Sequence, residues 1–228
     1  MHSSATLTVS LPAMVANWRL LQERHAGKNS AAVVKADAYG LGMAPVANAL
    51  RDAGCGIFFV ATLEEGIALR NSLPSRGRVR VGALESLSPP SPPPNLPRGG
   101  VIYVFHGVGK GEEAEFAAHD LRPVLNSPAQ IERWKKTGKP SALHIDTGMT
   151  RLGLCESEVN SISDKKALIK ECGIELLMSH LVNGALPESP LNETQWQRFE
   201  TAKAQFPGIA CSLANSSAHF FEIGRAHV

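Results

Sequence analysis

The sequence predicts an α/β fold of the (β/α) TIM-barrel type, and three observations carry that reading. Short apolar runs recur along the chain, segments of helical period lie between most of them, and polar residues collect just past the ends of the runs. The runs are near-continuous rather than alternating, as expected of parallel strands buried on both faces by covering helices.

The elements follow in order. "TLTVS" (Thr6–Ser10) precedes a helical period from Ala13 to His25, and "AAVVKA" precedes one from Ala44 to Ala53. "IFFVA" and "VIYVF" come next, then a helix over Glu112–His119, "LRPVLN", a helix over Pro128–Lys136, "SALHID", a helix over Glu156–Lys170, "IELLMS" and "IACSLAN". Counted from Ala31, seven barrel strands are expected, containing Val34, Phe59, Tyr103, Val124, Ile145, Leu177 and Leu213, where a closed barrel of this type has about eight. The proline-dense stretch at about 76–100 cannot supply ladder donors and reads as a surface insertion.

Bulk composition narrows the function classes. The 228 residues carry 43% hydrophobic and 19% charged residues and a net charge of +2, which argues against disorder and against a polyanion such as nucleic acid as partner. Cys55, Cys155, Cys172 and Cys211 lie far apart with no CxxC pair, so neither a disulfide framework nor a metal site is expected. No segment reads as a signal peptide or a membrane span, and a cytoplasmic location is expected.

The chemistry gathers at the strand ends. In "AVVKADAYGLG", Lys35 closes an apolar run; in a partly desolvated mouth its neutral amine is favoured and becomes able to form a Schiff base with an aldehyde cofactor, whereas at an open strand end it is a solvated lysine. Tyr39 follows with a hydroxyl suited to a phosphate, and Gly40 and Gly42 allow close approach of backbone to ligand. In "HIDTGMTRLGL", Asp146, Met149 and Arg151 share a compact loop, and the guanidinium suits a substrate carboxylate. His180 ends another run, where it either stacks on an aromatic cofactor or is an ordinary polar residue. Asn215 and Ser216 suit a phosphate, and equally a helix N-cap.

Taken in order, "VVKADAYGLG", "DTGMTRLG", "SHL" and "ANSS" resemble the alanine racemases, pyridoxal-phosphate enzymes of the barrel type called fold type III, in register from about Thr6 to Ser217. The resemblance implies pyridoxal 5'-phosphate as cofactor and Lys35 as both the Schiff-base lysine and one of two catalytic bases. It implies cofactor binding by Tyr39, Arg151, His180, Asn215 and Ser216, and substrate-carboxylate contacts from Arg151 and Met149. It further implies interconversion of L- and D-alanine for peptidoglycan by a cytoplasmic homodimer whose second base is a tyrosine of a C-terminal β-domain.

This chain departs from the family pattern in several places. By the resemblance, neither the β-domain nor the last barrel strand is expected within these 228 residues, and residues 1–11 are expected to be a strand lacking its partner domain. Residues 12–222 are expected to be an incomplete barrel. Residues 223–228, which match the translation of a sequencing adapter, are expected to be a non-native tail on a truncated, inactive chain. His144 stands where many relatives carry a carbamylated lysine that holds the arginine. Two other functions share much of this pattern: a non-catalytic pyridoxal-phosphate-binding barrel, and a serine or broad-specificity racemase. An orphan barrel fragment without a ligand is a third alternative.

Overall fold

The computed structural model describes residues 6–24, 30–73 and 99–220; the proline-dense insertion before residue 99 and the 223–228 tail lie outside them. Seven strands form one sheet in chain order, every neighbouring pair parallel: β1 (Ala32–Val33), β2 (Ile57–Val60), β3 (Val101–Val104), β4 (Leu121–Leu125), β5 (Ser141–His144), β6 (Ile174–Met178) and β7 (Ala210–Ser212). Sequential parallel order with intervening helices is the winding of a (β/α) barrel, here open between β1 and β7 among the described residues. Residues 6–10 form no strand among the described residues.

Side-chain alternation sorts the apolar runs into two cores. Phe58 and Val60 of β2 and Ile102 and Val104 of β3 join Phe116, Trp134, Phe199 and Phe206 in the layer between sheet and helices. Their neighbours Phe59, Val101 and Tyr103 join Val124, Ala142 and Met178 in a second cluster inside the barrel. Phe59 stacks there on Tyr103 (4.9 Å between ring centroids) and on Phe105 (5.0 Å). Burial on both faces is why the strands read as unbroken apolar runs.

One polar group breaks the inner core. Ser141 pairs with Ile174 but Ala142 pairs with Leu176, so Glu175 is an extra residue in β6. Such a bulge re-aims a side chain, and Glu175 accepts from the Tyr103 hydroxyl (2.6 Å) and pairs with Arg122 of β4.

The helices begin where capping side chains allow. Thr62 Oγ1 accepts the Glu65 N–H (3.3 Å) at the start of α4 (Leu63–Ser72), and Ser127 with Pro128 opens α6 (Pro128–Trp134), after α5 (Glu113–Ala118). The segment read as one helix over Glu156–Lys170 is two, α7 (Glu156–Ser161) and α8 (Lys165–Cys172). The break has a local cause: Asp164 leaves helical geometry and accepts the Ala167 N–H (2.9 Å), which starts a new helix. Asp164→Ala is expected to cost about 1 kcal/mol in a urea-unfolding measurement.

The remaining helices are α1 (Leu11–Arg24), the short turn α2 (Lys35–Gly40), α3 (Met43–Asp52) and α9 (Pro190–Lys203), with a final 3-10 turn over Ala218–Phe220. Helix α1 packs on α3 and on that last turn, so it links the segments that follow the two edge strands. The Trp18 indole donates to Ser30 O (2.9 Å), and Arg24 lies 4.5 Å over the Phe220 ring. Among the described residues, no helix is long and apolar enough to cross a membrane, and no cluster of three His, Cys, Asp or Glu side chains is placed to hold a metal ion.

Candidate active site

The C-terminal ends of the strands form one mouth, and Lys35 stands at its first edge. The N–H of Val34 is still bonded to Phe59 O (2.9 Å), so Lys35 begins where the β1–β2 ladder ends. Its half-buried side chain carries the amine 5.5 Å from the centre of the Phe105 ring and 6.0 Å from that of Tyr39, both cation–π distances.

The chain then turns in a way the glycines did not foretell. Ala36, Asp37, Ala38 and Tyr39 all have φ between 51° and 58°, a left-handed turn built from four consecutive non-glycine residues. Each such residue costs roughly 1–2 kcal/mol relative to right-handed geometry, so the turn persists only because its surroundings fix it. Ala36 N–H donates to Glu65 Oε1 (2.7 Å), Ala38 N–H to Val34 O (3.0 Å), Gly42 N–H to Asp37 O (2.9 Å) and Met43 N–H to Asp37 Oδ1 (2.6 Å). Tyr39 is left 64% exposed at the rim.

The loop after β5 folds back on its own strand. Leu154 N–H donates to His144 O (2.8 Å) and Asp146 N–H to Leu154 O (2.9 Å), while Asp146 Oδ1 gathers the N–H groups of Gly148 (2.9 Å) and Thr150 (3.0 Å). This closed loop carries Met149, half-buried, and Arg151, exposed. Gln195 of α9, fully buried, braces it from behind: its amide nitrogen donates to Thr147 Oγ1 (3.2 Å) and His180 O (2.9 Å), and its oxygen accepts Val182 N–H (2.9 Å). The Arg151 loop and the His180 strand end are thereby one unit.

The mouth is electropositive. His180 is held below the usual histidine range by burial first, then by the positive charges of Arg151 and Lys35. His144, buried beneath it, is pushed down to about 4 by burial and by His180 and Arg151, against the opposing pull of Asp146. Asn126 settles its tautomer. The Asn126 amide nitrogen donates to Phe105 O (2.7 Å) and Val124 O (2.8 Å), so its oxygen faces His144 Nδ1 at 2.9 Å and Nδ1 must carry the proton. His144 is thus neutral at pH 7, with an acceptor lone pair on Nε2.

Beyond β7, Asn215 is committed to the protein itself: Oδ1 accepts Ala218 N–H (3.0 Å), Nδ2 reaches Leu181 O (3.5 Å), and its amide packs so tightly on Gly184 that a Cβ there would fall 2.5 Å away. Ser216, next in the chain, is exposed at the turn. Glu65, Asn126 and Gln195 escaped the sequence reading as contributors to the site. Only Glu65 carried a signal, the Thr62-x-x-Glu65 spacing of a capping box.

The strand ends present an amine (Lys35), a guanidinium (Arg151) and an imidazole (His180) that feels the charge of both, with the Phe105 ring beside the amine. An amine able to take an aldehyde and a guanidinium able to take an acidic group fit a ligand bearing both.

Comparison with known proteins agrees. The family "Alanine racemase, N-terminal domain" matches residues 9–228. The alanine racemase of Acidiphilium cryptum is 41% identical over 224 residues, covering 96% of this chain and 56% of that protein. The crystal structure of alanine racemase from Bartonella henselae with covalently bound pyridoxal phosphate superposes with a TM-score of 0.78 at 32% identity, covering 93% of this chain and 57% of that one. Alanine racemase from Streptomyces coelicolor gives a TM-score of 0.75 at 26% identity, covering 95% and 55%. The chain spans about half the length of the curated relatives it matches. Fold, strand-end lysine, folded-back arginine loop and these matches converge: the chain belongs to the alanine racemase N-terminal domain family.

Proposed function

We propose that this chain is the cofactor-binding barrel of a pyridoxal-phosphate-dependent alanine racemase, with Lys35 as the amine that takes the cofactor's aldehyde carbon. The observation that carries the reading is the placement of Lys35: a half-buried strand-end amine, stapled by its own left-handed turn, facing a mouth it shares with Arg151 and a neutral His180. Tyr39 and Ser216 would hold the phosphate, with Asn215 contributing by fixing the Ser216 turn. His180 would pack on the ring, Arg151 would hold the ring's phenolic oxygen and the substrate carboxylate, and Met149 would lie beside that carboxylate.

Pyridoxal phosphate supplies the electron sink that acidifies the α-C–H of an amino acid. The chain's part is to place that C–H and to move its proton. Lys35 Nζ takes or returns the proton on the face of the D-enantiomer, and Arg151 fixes the carboxylate so that the α-carbon is presented to it. Inversion needs a second acid–base group on the opposite face. Of the two tyrosines, Tyr39 belongs to the turn that bears Lys35, and Tyr103 is buried with its hydroxyl bonded to Glu175, its pKa raised by burial and that carboxylate. We place the second base in a C-terminal β-domain of a full-length parent, contributed across a cytoplasmic homodimer that makes D-alanine for peptidoglycan. The 228-residue chain alone binds the cofactor weakly and turns over L-alanine negligibly.

The test is an absorbance spectrum of the purified chain with added pyridoxal phosphate, wild type against Lys35→Ala. A visible band present in the wild type and lost in the variant is the expected result. A band that survives in Lys35→Ala would refute the role given to Lys35.

A further inference from the structure

The peptide bond that follows Lys35 is held from outside its own segment. Of the hydrogen bonds that fix the left-handed turn, those from the N–H groups of Ala38, Leu41, Gly42 and Met43 stay within residues 34–43, whereas Ala36 N–H reaches out to Glu65 Oε1 at 2.7 Å. The other oxygen of the same carboxylate takes Ala61 N–H, also at 2.7 Å. One side chain therefore joins the chain just past β1 to the chain just past β2, at the level where the mouth begins.

The arrangement diverts a familiar motif. In a capping box the N-cap threonine accepts the N–H of the glutamate three residues on, and that glutamate reaches back to the N–H of the threonine. Here Thr62 keeps its half, accepting Glu65 N–H, while the Glu65 carboxylate goes instead to Ala61 and across to Ala36. Bonds from N–H groups to an ionised carboxylate are roughly twice as strong as neutral ones. They bear on a turn that four left-handed non-glycine residues make costly to hold.

We propose that Glu65 is a positioning residue for the Lys35 amine, fixing the Lys35–Ala36 peptide so that the amine projects across the mouth toward Phe105. The inference rests on the reading of Lys35 as the cofactor lysine. Glu65 touches neither ligand nor reacting atoms, and its effect passes entirely through the backbone of Ala36.

The experiment compares Glu65→Gln and Thr62→Ala in the 228-residue chain. Thr62→Ala removes a cap from the same helix without touching Ala36. Amide hydrogen exchange at Ala36 is read without cofactor, and the affinity for pyridoxal phosphate and borohydride trapping on Lys35 are read with it. In Glu65→Gln one acceptor becomes an NH2 facing an N–H. Exchange at Ala36 is expected to quicken, and cofactor affinity to fall, each by about tenfold or more, with trapping on Lys35 reduced. Thr62→Ala should leave all three at wild-type values. If Glu65→Gln fails to fold, Glu65→Asp, too short to reach both N–H groups, should show the same pattern at smaller amplitude. A wild-type chain with no lysine-dependent uptake overturns the reading of Lys35 and this inference with it. Normal wild-type uptake, with Glu65→Gln indistinguishable from Thr62→Ala or with unaltered trapping, overturns this inference alone.

Discussion

Gly153→Ala is expected to lower the unfolding free energy by about 3–5 kcal/mol and to detach the arginine loop from the mouth. Gly153 has φ +103°, a conformation that L side chains rarely adopt. A Cβ there would lie 2.8 Å from Asp146 N and 3.0 Å from Ile145 C, which are backbone atoms and cannot swing aside. The only relief is to open the return of the loop onto β5. That breaks the Leu154–His144 and Asp146–Leu154 backbone bonds and lifts the fully buried Leu154. Backbone strain of roughly 1–3 kcal/mol and two hydrogen bonds of about 1 kcal/mol each give the expected size. Gly138→Ala is the control: its φ is +59° with nothing within 4 Å of the added Cβ, so it reports strain alone, about 1 kcal/mol. Urea unfolding gives the stabilities, and the His180 imidazole gives the position of the loop. Arg151 helps hold that imidazole below its usual range, so its pKa should rise when the loop leaves. Equal costs for the two glycines would show that contact with the β5 backbone is not what Gly153 provides.

The same loop marks the limit of what the sequence discloses. Apolar runs located the seven strands because the central ones are buried on both faces and cannot tolerate polar alternation, while the edge strands β1 and β7 each expose a residue, Val33 and Ala210; Val34, Ile145 and Leu213 fall one residue beyond the strands they were taken to mark. Lys35, Arg151 and His180 could be singled out because strand ends expose chemistry. The backbone between them was not legible. Gly40 and Gly42 stand out in the sequence as places for close backbone approach, yet positive φ occurs not only at these glycines but also at Ala36, Asp37, Ala38 and Tyr39, where tertiary hydrogen bonds override local preference. The Glu175 bulge leaves no trace in a run that reads as an ordinary strand, and Gln195 sits in a helix where nothing in the residue order separates the side chains that reach the loop after β5, Gln195 and Arg198, from those that do not. Asn215 illustrates the converse: residue type and place were legible, yet the side chain caps the last turn and braces Leu181. Second-layer polar residues are chosen by contacts distant in sequence, and pattern reading has no access to those.

Acidification is expected to weaken this protein through His144, by about 3 kcal/mol between pH 7 and pH 4. The imidazole titrates near 6.5 when unfolded and at about 4 when folded, because burial and the neighbouring His180 and Arg151 disfavour its charged form more than Asp146 favours it. The sign follows from proton counting. Above pH 6.5 neither state holds the extra proton and the stability is intact. As the pH falls from 6.5 toward 4 the unfolded chain binds a proton that the folded one refuses, so stability declines, levelling only once the folded form is also protonated. His180, shifted in the same direction, adds to the slope. His144→Gln keeps a donor toward Asn126 Oδ1 and removes the titration, so it should flatten most of this decline while changing stability little at pH 7. Asn126→Leu has the opposite character: it strands the His144 Nδ1–H and frees the Phe105 and Val124 carbonyls, costing stability at every pH. Urea titrations at pH 7, 5.5 and 4.5 on the three proteins separate these outcomes. A wild-type slope unchanged in His144→Gln would mean that the acid sensitivity resides elsewhere. The flattened slope would identify the neutral imidazole beneath Arg151 as a built part of the mouth, a fixed acceptor that stays uncharged across the physiological range.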